Sequence, residues 1–100
     1  MKELRKITQE QLEEVLLKHK LYLENKEGGK KADLSYCDLE GADLIGAYLG
    51  YAYLGYADLR YAYLGYADLG YADLRYADLE YADLEGADLE GANLEDSILK

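Results

Sequence analysis

The sequence predicts an all-β repeat fold, a closed parallel coil of five-residue units covered at one end by an α-helix. Three observations lead there. Leucine stands at every fifth position from Leu34 to Leu99, and a small residue stands two places before each of those leucines. The first 31 residues follow a different pattern, one that suits a helix.

The helix comes first in the chain. Thr8-Gln9-Glu10-Gln11 fits a capping box, and Ile7 with Leu12 fits the hydrophobic staple that accompanies it. Leu12, Val15, Leu16, His19 and Leu23 then recur on one helical face. Glu10, Glu13 and Glu14 suit the positive end of the helix dipole, and Lys18, Lys20 and Lys26 the negative end. Gly28-Gly29 supplies a stop. These signals predict one amphipathic helix over about 9–25, within a capping segment 1–31 whose apolar face covers the first circuit of the coil. Such a cover answers a need, because an open β edge invites pairing with other chains.

The array occupies 32–100 and reads Ala-Asp-Leu-x-x. Its third place is leucine in all fourteen units, and its first is alanine except at Cys37 and Ser97, both small. Neither a helical period of 3.6 nor a strand period of 2 reproduces a five-residue repeat. Within a short extended stretch, the leucine and the small residue two places earlier point to one side, and the residue between them points outward. The remaining two places, rich in Gly and Tyr, must turn the chain. Four units then close one circuit of twenty residues, and circuits stack at roughly 4.8 Å. Fourteen units give about 3.5 circuits and a height of about 17 Å at that spacing. Every repeat leucine is expected inside.

This register resembles the pentapeptide repeat family, whose units centre on Leu or Phe with Ala two places earlier, and the resemblance covers essentially all of 32–100. It implies a right-handed quadrilateral parallel β-helix, a solenoid with Leu and Ala filling the interior. Leucine alone at the centre departs from mixed Leu/Phe members and implies a uniform bore. The regularity also fits a consensus-designed or recently duplicated sequence. Some members of the family are acidic rods that bind DNA gyrase and protect it from quinolone drugs.

A twenty-residue circuit turns the surface into columns. Glu40, Arg60, Glu80 and Lys100 form one column of alternating charge, and Arg75 precedes Glu95 in another. Asp38, Asp58 and Asp78 form an acidic run, and their carboxylates are expected to accept hydrogen bonds from turn amides. Tyr36, Tyr56 and Tyr76 should stack, as should Tyr51 with Tyr71 and Tyr61 with Tyr81. Tyr48, Tyr53 and Tyr63 are each followed two places later by glycine, which suggests rings covering space left by a missing side chain. The tyrosines have two readings. They armour a thin coil, or the band Tyr48, Tyr51, Tyr53, Tyr56, Tyr61, Tyr63 and Tyr66 forms a candidate protein-binding surface, since aromatics favour interfaces.

Charge narrows the partners. The net charge is −10, from 21 acidic and 11 basic residues. Residues 1–31 hold eight Lys/Arg against six Asp/Glu, while 32–100 hold three against fifteen. Such an acidic body disfavours nucleic acid and anionic membranes as direct partners. No run approaches 18 apolar residues and no window reads as a signal peptide, so a cytoplasmic location is expected. Cys37 reads as a buried filler and His19, the one histidine, as a packing residue. No nucleophile–base set, phosphate loop or metal-ligand spacing is visible, so no catalytic, cofactor or metal residue is assigned.

The expected function is therefore a non-enzymatic repeat scaffold or protein-interaction module with an acidic, tyrosine-rich surface. The alternative is a DNA-mimicking protein that binds DNA gyrase or another DNA-binding protein, although about 17 Å spans only about five base pairs. A homodimer through the C-terminal coil is also expected, with Leu94, Ile98 and Leu99 as its contact, because Ile98 puts an apolar group where Asp normally stands. A monomer whose last residues fold over the open end is the competing arrangement.

Overall fold

The structure, a computed structural model, describes residues 3–99; Met1, Lys2 and Lys100 lie outside the described residues, and with Lys100 goes the last member of its charge column. Helix α1 spans Gln9–Leu23 and starts on the capping box. Thr8 Oγ1 accepts from the Gln11 N–H at 3.0 Å, and Gln11 Oε1 accepts from the Thr8 N–H at 2.9 Å. The helix stops two residues before the expected end. Asn25 adopts a φ of 57° there, and its N–H donates to Tyr22 O while the Lys26 N–H donates to Leu21 O. That pair of bonds around a left-handed residue is a Schellman motif, with Asn in the place usually given to glycine. Gly29 serves the return instead. A Cβ there would lie 2.4 Å from the Tyr22 nitrogen, so only glycine lets the chain pass the end of α1.

From residue 32 the chain runs in circuits of twenty residues. The second residue of each unit bridges in parallel to the residue twenty later, from Asp33 with Tyr53 to Asp78 with Ile98. Unit 52–56 shows how the backbone is satisfied. Tyr53 N–H donates to Ala32 O in the circuit before, while Leu54 and Tyr56 N–H donate to Asp73 O and Arg75 O in the circuit after.

The expected all-β class, a right-handed quadrilateral parallel β-helix, requires correction. Among the described residues there is no β-strand or sheet. The one regular element is α1, and the array's pairings are isolated single-residue bridges. The body measures 37 × 28 × 21 Å, compact rather than an extended solenoid. The cause lies in the five-residue period. A turn in every unit leaves one residue per side in bridging register, and a ladder needs consecutive ones.

The turns are uniform. In each, the N–H of the next unit's first residue donates to the leucine carbonyl three back, as Ala52 does to Leu49 at 3.1 Å. The fifth residue holds a positive φ, 66° at Tyr51 and 68° at Gly46, which marks a type II turn. Inside, Leu34 through Leu79 are buried, together with Ala52, Ala57, Ala62, Ala67, Ala72 and Ala77. The expectation that every repeat leucine is inside fails at the far end. Leu84, Leu89 and Leu94 are half-buried and Leu99 is 51% exposed, because no further circuit packs over them among the described residues.

The near end is closed by polar groups as well as by the apolar face of α1. Leu12 is buried against the array, with Ile7, Val15 and Leu16 beside it. Arg5, which sequence reading passed over, bridges to Cys37, and its guanidinium donates to Asp33 O and Ser35 O. His19 is fully buried; its Nε2 lies 2.8 Å from Gly50 O, and its Nδ1 accepts from the Ala32 N–H at 2.9 Å. With Nδ1 accepting, the proton sits on Nε2 and the ring is neutral. Elsewhere a fifth-place N–H fills such a carbonyl and a leucine carbonyl receives such an N–H. One imidazole supplies both bonds that the array pattern cannot make here.

Candidate functional site

The array presents its side chains by place in the unit. Second-place carboxylates are committed to the turns, as the sequence suggested. Asp68 Oδ1 accepts the Gly70 N–H at 2.9 Å and Asp88 Oδ1 the Glu90 N–H at 2.9 Å, with the same Asx turn at Asp38, Asp43, Asp58, Asp73, Asp78 and Asp83. The arginines add a clamp. Arg60 Nε and Nη2 reach the two oxygens of Asp58 at 2.9 and 2.7 Å, and Arg75 holds Asp73 in the same way. Arg60 also meets Glu40 at 3.4 Å, whereas Arg75 turns to Asp73 in its own unit rather than forming the expected pair with Glu95. The bond from Arg60 holds the Asp58 carboxyl below its ordinary range despite partial burial, and Arg75 acts likewise on Asp73.

Carboxyl oxygens of Asp38, Glu40 and Asp58 converge within 4.8 Å of one another. The cations there belong to the chain itself, since Arg60 holds Asp58 and Glu40 and Lys6 pairs with Asp38 at 3.3 Å. Self-neutralisation of this kind also breaks any phosphate-like ladder on that side.

The tyrosines fall in two sets. At the corners, Tyr36, Tyr56 and Tyr76 stack with centroids 4.7 and 4.6 Å apart, Tyr51 stacks on Tyr71 at 5.3 Å, and Tyr61 on Tyr81 at 5.2 Å. On the sides, Tyr48 and Tyr53 lie under Lys20 and Lys31, at 5.9 and 4.3 Å from ammonium to ring centroid. The structure places all seven residues of the candidate surface outside, but it does not gather them. Tyr48 and Tyr51, Tyr53 and Tyr56, Tyr61, and Tyr63 with Tyr66 belong to four successive units of one circuit. They form a belt, and one flat partner can meet only part of it. Tyr66 stands out at 70% exposed, because its column neighbours twenty residues away are Gly46 and Gly86 and offer no ring.

The expected ring-over-glycine pairing is moved rather than kept. A Cβ at Gly50, Gly55 or Gly65 would first meet the backbone carbonyl of Gly70, Arg75 or Glu85. The covered glycines are Gly86 and Gly91, where a Cβ would come within 2.6 and 2.4 Å of the rings of Tyr66 and Tyr71. At the far end, Ile98 is bridged to Asp78 yet exposes its side chain, next to exposed Leu99 and half-buried Leu94.

Cys37 is buried, and burial pushes its thiol up, away from the reactive thiolate. No helix among the described residues is long and apolar enough to cross a membrane.

Comparison with known proteins agrees with this repeat. The family model described as Pentapeptide repeats (8 copies) matches residues 30–60 and 57–96, and the chain belongs to that family.

Among solved structures, the chain is 45% identical to HetL, a pentapeptide repeat protein involved in heterocyst differentiation regulation from the cyanobacterium Nostoc sp. strain PCC 7120. That match covers 72% of this chain and 36% of HetL, with a TM-score of 0.57, so the chain spans little more than a third of that relative. It is 36% identical to the pentapeptide repeat protein Rfr23 from the cyanobacterium Cyanothece 51142, over 68% of this chain and 44% of that one, at a TM-score of 0.42. It is 30% identical to alr5209 from Nostoc PCC 7120, over 78% and 73%, at 0.29. The comparison with curated proteins found no match.

Proposed function

We propose that this chain is a non-enzymatic scaffold that binds another protein through the acidic, tyrosine-bearing sides of its array. The observation that carries the reading is the set of corner tyrosines. Eight of them hold φ between 57° and 66°. A side chain in that region costs roughly 1–2 kcal/mol where glycine costs none. Gly41, Gly46, Gly86 and Gly91 occupy equivalent corners, so turning does not require tyrosine. Stacking offsets the cost at about 0.5–1.5 kcal/mol for each well-placed pair. It does not do so for Tyr66, which has no ring above or below. An exposed aromatic lying over Gly86, in the same unit as exposed Tyr63, has the character of an interface anchor.

The test uses Tyr66→Gly, which keeps the turn and removes the ring. A protein captured by the parent and lost with Tyr66→Gly plus Tyr63→Asp supports the reading; capture that ignores both substitutions contradicts it.

The same proposal includes self-association through the last circuit and a cytoplasmic location. Exposed Ile98 and Leu99 support the first. The acidic groups there repel one another, so the contact should tighten as salt screens them. Sedimentation of the parent and of Ile98→Lys with Leu99→Lys at low and high salt tests this contact, and a parent that stays monomeric throughout removes it. Cell fractionation tests the location.

A further inference from the structure

We infer that His19 is a pH-sensitive latch, whose protonation releases α1 from the first circuit while the rest of the array stays folded. The geometry gives the imidazole no room for a second proton. Nδ1 is the acceptor for the Ala32 N–H, and a proton there would set two donors against each other at 2.9 Å. The ring cannot turn over to escape, because Nε2 is held to Gly50 O at 2.8 Å and both partners are fixed parts of the backbone. The site is also closed to water.

The groups facing the ring from each element are few. From α1, Tyr22 stacks on it with centroids 5.6 Å apart. From the connection comes Lys31, whose ammonium opposes a second positive charge nearby. From the array come the uncharged Ala32 amide and Gly50 carbonyl. Burial is the largest influence and, with Lys31, lowers the affinity for a proton; the bond to Gly50 works against them.

Release falls on the helix because the array does not depend on His19. Its circuits are joined through Leu34 to Leu79 and through their own backbone bonds. The cap depends on the Leu12 face, the Arg5 contacts, the Lys30 N–H to Lys18 O bond and this ring. Gly28, at φ 85°, lies in the connection between α1 and the array. Once α1 leaves, Gly50 O and the Ala32 N–H face water, and the first circuit presents an unpaired edge. The acidic array attracts a charged cap at long range, so high salt should favour release.

One titration decides it. His19 is the only histidine, so its ring resonances report on it without ambiguity. They are followed by NMR from about pH 8 to about pH 5, a window that spans the ordinary imidazole value, together with hydrogen exchange of the α1 and array amides. The expected result is a midpoint below the ordinary value of 6.5, with α1 protection falling at least tenfold in the same step and Leu64 and Leu69 amides unchanged. His19→Gln, which cannot titrate, should remove that step, and Lys31→Gln should move it to higher pH. An ordinary midpoint with α1 still docked overturns the latch, as does a transition in which helix and array lose protection together.

Discussion

Replacing Gly91 and Gly46 by alanine isolates what a tyrosine ring contributes at a corner. Both glycines sit at the same turn position, with φ of 71° and 68°. Either alanine therefore incurs the left-handed penalty, about 1–2 kcal/mol. They differ in surroundings. A Cβ on Gly46 meets nothing within 4 Å, whereas one on Gly91 would lie 2.4 Å from the Tyr71 ring, inside any allowed contact. Tyr71 must then swing away, and that movement disturbs its stack on Tyr51. Losing an aromatic pair of this kind is worth about 0.5–1.5 kcal/mol. Gly46→Ala should thus cost about 1–2 kcal/mol from the backbone alone. Gly91→Ala should cost about 1.5–3.5 kcal/mol, the sum of the two effects. Urea unfolding followed by circular dichroism gives both values, and near-ultraviolet tyrosine signals should change for Gly91→Ala alone. Equal costs, or a larger one at Gly46, would refute the view that rings lie on the glycines of the next circuit.

Other consequences follow from the core, the cap and the carboxylates. Leu64→Ala should destabilise by about 2–5 kcal/mol, and Leu94→Ala by clearly less because Leu94 is half-buried; chemical denaturation of the two checks the gradient. Ala62→Leu, at a fully buried small position, should lose about 1–3 kcal/mol through overpacking. His19→Leu strands the Ala32 N–H and Gly50 carbonyl, for about 2–6 kcal/mol at about 1–3 per group, and a loss under about 1 kcal/mol would mean that water replaces the ring. The folded-state carboxyls of Asp58 and Asp73 lie below their unfolded values. Their contribution is therefore present above about pH 4 and lost as acid titrates through the folded values. Asp58→Asn should flatten that acid limb in a stability–pH profile.

Much of this was legible because the repeat is strict. The leucine in the third place of each unit marked the interior as far as Leu79, and the capping box located the start of α1. The Asx turns followed from aspartate's habit of bonding the amide two residues on. What escaped had physical reasons. A five-residue unit with a turn in each cannot sustain a strand, so the all-β class gave way to isolated bridges. The helix ended at Leu23 because Asn25, just past the cap, tolerates the left-handed region, while Gly28-Gly29 looked the stronger stop. Arg5 carries no local pattern, and its role exists only against carbonyls about thirty residues away. His19 was read as packing, and its burial agrees; its two backbone bonds depend on where the first unit lacks partners. The seven tyrosines of the band lie on four successive units, which face successive sides.

The account stands on the twenty-residue register, and through-hydrogen-bond NMR couplings test it most directly. The amide nitrogens of Leu59, Leu64 and Leu69 should couple to the carbonyl carbons of Asp78, Asp83 and Asp88, to which they donate at 2.7–2.8 Å. Couplings to those carbonyls, nineteen residues ahead in every case, are the expected result. Couplings to carbonyls four residues back, or to carbonyls at any other fixed offset, would contradict the stacked circuits and every surface column derived from them.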